Sequence, residues 1–87
     1  MQTEPFDPAP LVALARVQHP DQPWLVEALA RCTTGRRESR AYVYFVEPDS
    51  PEWVFRENVV LADRGGDVVV DVLEGPRVGG VEYLRYV

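Results

Sequence analysis

An α+β fold, with two short N-terminal helices packed on one face of a four-stranded, mainly antiparallel β-meander, is predicted by three observations. Apolar residues at helical spacing are confined to residues 9–35. Beyond residue 40 the apolar period falls to two, and Val, Tyr, Phe and Trp become abundant. Turn-rich clusters then divide that second part into short runs. A chain of 87 residues suits one domain, with an arm over 1–8, a helical part over 9–35 and a sheet part over 41–87.

The arm holds Pro5 and Pro8 and no period, so it reads as frayed and flexible. From Pro10, PLVALARVQ combines helix formers with a proline suited to the first helical position, and His19-Pro20 stops it. A second helix begins after Asp21 as N-cap, with Trp24, Leu25, Ala28, Leu29 and Cys32 at helical spacing. TTGRRES closes this helix, Gly35 serving as its C-terminal punctuation. AYVYFVE is the first strand. After the loop Pro48-Asp49-Ser50-Pro51, WVFRENVVLA gives the second, broken near Arg56. DVVVDVL and VGGVEYLRYV, set off by the turns DRGG and EGPR, give the third and fourth.

A register follows from the turns. With Ala62 facing Asp67, Leu61 pairs with Val68 and Val59 with Val70; with Leu73 facing Val78, Val70 pairs with Val81 and Val68 with Tyr83. One face then gathers Val59, Leu61, Val68, Val70, Val72, Val81 and Tyr83, an apolar surface for the helices to cover. The other face gathers Arg56, Asn58, Asp71 and Glu82, with Gly80 directly across from Asp71. Asp71 and Glu82 become diagonal neighbours about 7 Å apart at the backbone. Such a pair suits acid–base chemistry or a hard cation only within a concave site with further ligands, so the solvated outer face of a sheet is the simpler reading.

The segment VVVDVLEGPRVGGVEYL resembles the C-terminal part of a short bacterial family catalogued as domain of unknown function 2283. Its members end in an apolar strand, an Asp, an acidic-Gly-Arg turn, and Gly-Ile-Glu before further apolar residues. Asp71, Arg77, Val78, Gly80, Val81 and Glu82 fall on matching positions, whereas Gly75-Pro76 and Gly79 depart from the pattern. The resemblance spans residues 41–84 and implies a sheet but no activity.

All nine cationic residues are arginine, and the net charge is −5. Residues 1–40 are balanced, with five arginines against five acids; residues 41–87 hold four arginines against nine acids, so the whole excess lies in the sheet part. Such a surface repels a phosphate backbone and attracts a basic one, which argues against nucleic acid and for a basic protein partner. Arg36, Arg37 and Arg40, interrupted by Glu38, read as a solvated junction. No apolar run approaches the ~20 residues that cross a bilayer, and MQTEPFDPAP lacks a signal-peptide pattern, so no membrane is expected and the cytoplasm is the expected compartment. Cys32, the single cysteine, reads as a packed residue, His19 as a helix-end surface residue, and the glycine pairs fit no nucleotide fingerprint. No catalytic residue, metal ligand or cofactor motif stands out.

EPDSPEW is the best candidate binding loop, with Glu47, Asp49 and Glu52 to steer a basic partner and Trp53 to anchor it. Alternatively, Trp53 packs back onto the sheet as core material. Asn58, Asp71 and Glu82 form a second candidate partner surface. The expected function is a small acidic, non-enzymatic protein-binding domain, comparable by class to immunity- and antitoxin-type inhibitors of a basic enzyme such as a nuclease. The alternative is a self-associating structural module, a homodimer through a sheet edge, at AYVYFV or the last strand, or through the outer sheet face. A metal-dependent enzyme using Asp71 and Glu82 ranks third.

Overall fold

A computed structural model of the chain describes residues 2–87. Its two helices are α1 (Ala9–Gln18) and α2 (Pro23–Ala30), each with a proline in the first turn, where the missing N–H has no helical partner to lose. Asp7 accepts a hydrogen bond from the Ala9 N–H at 3.0 Å. The N-cap of α2 is Gln22 rather than Asp21. Leu11, Val12 and Ala15 of α1 and Leu25, Ala28 and Leu29 of α2 are buried, with Cys32 following one turn on.

The sheet has six strands, not four: β1 (Glu4–Pro5), β2 (Thr34–Arg37), β3 (Tyr42–Tyr44), β4 (Phe55–Leu61), β5 (Val68–Leu73) and β6 (Arg77–Tyr83). Their spatial order is β1-β2-β3-β6-β5-β4, and every neighbouring pair is antiparallel. Only β4-β5-β6 forms a meander. β3 lies beside β6, because Val43 meets Val81 on the buried face while Tyr42 and Tyr44 meet Glu82 and Gly80 on the other. The proline-bearing loop 45–54 returns the chain to the far edge, past the 74–77 turn, where Arg77 donates to Glu52 at 2.8 Å.

Two other expectations are corrected. Within the arm, Glu4 and Pro5 pair with Gly35 and Thr34, and Phe6 donates its N–H to the Thr33 carbonyl while its ring packs edge-on against Phe45. Strand pairing, the Phe6 ring and an ion pair from Arg37 Nε to Glu4 at 2.9 Å together hold the segment where no period announces it. Gly35 does not end a helix; it lies buried in β2 beneath Val43 and Phe45.

The meander keeps its expected register at Leu61–Val68, Val59–Val70, Val70–Val81, Val68–Tyr83 and Asp71–Gly80. Val59, Leu61, Val68, Val70, Val72 and Val81 are buried under the helices, and Tyr83 packs half-buried at their margin. Towards the 74–77 turn the register slips: Val78 opposes Val72 and Arg77 opposes Leu73, leaving a bulge at Gly79. A second irregularity between Phe55 and Glu57 turns Arg56 away from the outer face, and its guanidinium lies 5.4 Å from the Trp24 ring centroid on α2.

Val70 has 0% exposure at the centre of the helix-covered face, whereas Val69 is half-buried on the opposite one. Val70→Asp is expected to cost several kcal/mol by burying an unpaired charge, enough to unfold a domain of this size. Val69→Asp should remain folded with a modestly lowered Tm in thermal melts. Equal damage from both would mean that the outer face is also covered in solution.

Candidate interaction face

Period-two alternation places Tyr42 and Tyr44 of β3, Gly80 and Glu82 of β6, Val69 and Asp71 of β5, and Asn58 and Val60 of β4 on one surface. Both helices lie on the other side. Two glycines give this surface its relief. A Cβ on Gly80 would lie 2.8 Å from Cε1 of Tyr42 and 3.0 Å from the Val43 carbonyl oxygen, so the Tyr42 ring lies directly over bare backbone. At Gly79 a Cβ would meet the Trp53 ring at 2.7 Å and Leu73 at 2.8 Å. Trp53 therefore packs back onto the sheet, half-buried, and Leu73 is buried with it apart from the main core.

An aromatic row results. Tyr42 and Tyr44 have ring centroids 4.5 Å apart, Trp53 meets Tyr44 edge-on at 5.8 Å, and the Arg36 guanidinium lies 5.1 Å from the Tyr44 centroid. Phe55 and Val60 on β4 extend the apolar character, being 51% and 49% exposed. Trp, Tyr and Arg are the side chains that most often dominate binding energy at protein interfaces.

The expected site residues divide into two groups. Of the loop acids, Glu47 accepts from Arg36 Nε at 2.6 Å and Glu52 from Arg77, so each already has a cation beside it; Arg36 also pairs with Glu38. The Glu47 and Glu38 bonds hold the Arg36 guanidinium above its ordinary basicity. Asp49 alone in the loop is exposed and has no ion pair among the described residues. By contrast, Asn58, Asp71 and Glu82 come together: Asn58 Nδ2 donates to Asp71 Oδ1 at 2.6 Å, and neither Asp71 nor Glu82 has a cation partner among the described residues. Partial burial, and then the Glu82 carboxylate, push the Asp71 carboxyl up to about 6.

Tyr42, Tyr44 and Arg36 were missing from the candidate residues. Their signal was the tyrosine pair straddling Val43 at strand spacing, beside glycines that leave room for rings. Elsewhere, Cys32 is buried, its thiol donates to the Ala28 carbonyl at 3.4 Å, and burial pushes it up to about 12, the chemistry of a packed residue. Among the described residues no group of three or more His, Cys, Asp or Glu side chains converges to hold a metal ion, and no helix is long and apolar enough to cross a membrane. No family model, curated protein or solved structure matches the chain.

Asp71 gives a pH test. Its folded-state pKa lies above the ordinary carboxylate value near 3.9, so its contribution to stability is fully present below about pH 4 and is lost as pH rises through about 6. Asp71→Asn keeps the oxygen that accepts from Asn58 and removes the charge. It should raise stability at pH 7.5 by about 1 kcal/mol, a figure discounted for solvent screening, and leave it unchanged at pH 4. Chemical denaturation at the two pH values checks this, and a loss of stability at pH 7.5 would sink it.

Proposed function

We propose that this chain is a small acidic, non-enzymatic protein-binding domain that docks the outer face of its sheet on a basic partner protein. One observation carries the reading: the face left bare by the helices concentrates aromatic and apolar side chains around two carboxylates with no cation partner among the described residues. A lysine or arginine entering beside Tyr42 would meet Asp71 and Glu82 in a partly desolvated setting and lie near an aromatic ring, combining charge pairing with cation–π attraction. The net charge of −5 would steer such a partner during its approach. By class, the arrangement suits an immunity- or antitoxin-type inhibitor that covers a basic enzyme such as a nuclease.

The homodimer reading is weaker. AYVYFV and the last strand were its expected edges, but β3 lies between β2 and β6, and β6 between β3 and β5, so neither is free. A two-fold through the outer face would bring the Asp71 and Glu82 carboxylates of the two copies together, which is repulsive above pH 6. The acidic loop becomes the rim of the proposed surface, with Trp53 supporting the aromatic row and Asp49 the remaining steering charge.

The test begins with sedimentation of the free protein, expected to be a monomer, and capture of its partner from the native host. Asp71→Asn with Glu82→Gln should weaken the complex at least about ten-fold, as expected for losing charge-assisted bonds, while Asp49→Arg alone should mainly slow association. Affinity should rise between pH 5 and 7.5, because a partner cation favours the ionised form of Asp71. Rising salt should lower the on-rate over the ~8 Å screening length of physiological ionic strength. Unchanged affinity in the folded double variant would remove the outer face as the recognition surface.

A further inference from the structure

On the helix side of the sheet, where α1 begins, a cleft of about 550 Å³ opens between α1, the start of β5, the end of β6 and the closing turn Leu84–Tyr86. Its size lies within the range of small-molecule sites. Its floor is apolar, made by Leu11, Leu14 and Val68 with the Tyr83 ring as a wall. Its mouth is cationic. Arg37 from β2, Arg40 from the β2–β3 connection and Arg85 from the closing turn line it with Asp7 and Asp63, and Arg37 is paired with Glu4 at 2.9 Å.

These guanidinium groups are not all satisfied within the chain. Arg40 has no ion pair among the described residues, and Arg85 reaches Asp63 only at 3.4 Å. Both lie against the same Tyr86 ring, at 4.6 and 5.8 Å from its centroid, so two like charges share one aromatic group. Arg85 is also seated: its guanidinium lies where a Cβ on Gly65 would be, 2.5 Å away. An anion at the mouth would relieve the repulsion between the two arginines and gain planar, paired donors. One guanidinium without an ion pair among the described residues, Arg40, matches a singly charged head better than a doubly charged phosphate, and the hydrophobic floor requires an apolar body behind it.

We propose that this cleft binds a small organic monocarboxylate, its carboxylate held by Arg40 and Arg85 and its apolar body against Leu11, Leu14 and Val68. The site is separate from the outer face and stands whether or not that face docks a protein. Titration of the full chain with octanoate, 1-octanol and octyl phosphate at pH 7.5, followed by NMR, tests it. Octanoate should give saturable shifts at Leu14, Val68, Tyr83 and Tyr86, with octanol at least about ten-fold weaker. Arg40→Gln should weaken octanoate about ten-fold and leave octanol unchanged, and Leu14→Trp, filling the floor, should abolish both while thermal melts show each variant folded. Absence of saturation by ~10 mM, shifts confined to another surface, or equal affinity for octanoate and octanol overturns the proposal. Octyl phosphate binding more tightly than octanoate overturns the assignment of a singly charged head.

Discussion

Val70 lies between Val59 and Val81 with no exposed surface, and the rest of the sheet follows from that burial. Side chains alternate along a strand, so committing Val68, Val70 and Val72 to the helices commits Val69, Asp71 and Leu73 to the opposite side. Shifting the register by one residue would bury Asp71 among valines, at a cost no gain elsewhere in a small domain could offset. Each fully buried valine or leucine contributes roughly 1.5–3 kcal/mol, and the two helices supply enough apolar surface to cover one face of the sheet. Among the described residues no further element covers the other.

The uncovered face is handled by economy of shape. Gly79 and Gly80 would be weak strand residues if nothing packed on them, since glycine loses the most freedom on folding. Rings from outside β6 take the place of the missing side chains: Tyr42 covers Gly80, and Trp53, brought back by the loop 45–54, covers Gly79. The bulge at Gly79 is part of the same device, because both Phe45 and Val46 donate their N–H groups to the Gly79 carbonyl and so bring the start of that loop against β6. Acidity on this face thus sits beside an aromatic row, and partial burial, followed by the Glu82 carboxylate, raises the Asp71 carboxyl above the ordinary carboxylate range.

What was legible in the sequence was what repeats. The meander β4-β5-β6, its central register and seven residues of its apolar face were readable because period-two alternation fixes them locally, whereas Val78 joins that face only through the slip at the 74–77 turn. β1 and β2 were not, because two and four residues carry no measurable period and TGRR has the composition of a loop. The pairing of β3 with β6 joins residues nearly forty positions apart, and nothing local specifies it. The displacement of Arg56 and the slip at Leu73 both come from bulges, which add a residue without a composition signal. Trp53 was undecided between loop anchor and packed ring because only the bare backbone of Gly79, 26 positions away, settles it.

The edges of the sheet bear on which surfaces remain for recognition. β1 ends one side with two residues, too short to template another strand. β4 ends the other and is seven residues long, but its C-terminal end is blocked by the end of α1. The Gln18 side-chain amide donates to the Ala62 carbonyl and accepts from the Ala62 N–H, both at 2.7 Å, so one side chain mimics the pair of bonds a neighbouring strand would make. His19 Nε2 lies 3.3 Å from the Val60 carbonyl, the next acceptor along that edge. A helix terminus thus satisfies backbone groups at the C-terminal end of this edge, where an added strand would otherwise pair. Side-chain chemistry is concentrated in two places: the aromatic-acidic outer face and the arginine-rimmed cleft. They differ in the sign of their charge and lie on opposite sides of one sheet, so occupancy of one proposed site would not exclude occupancy of the other.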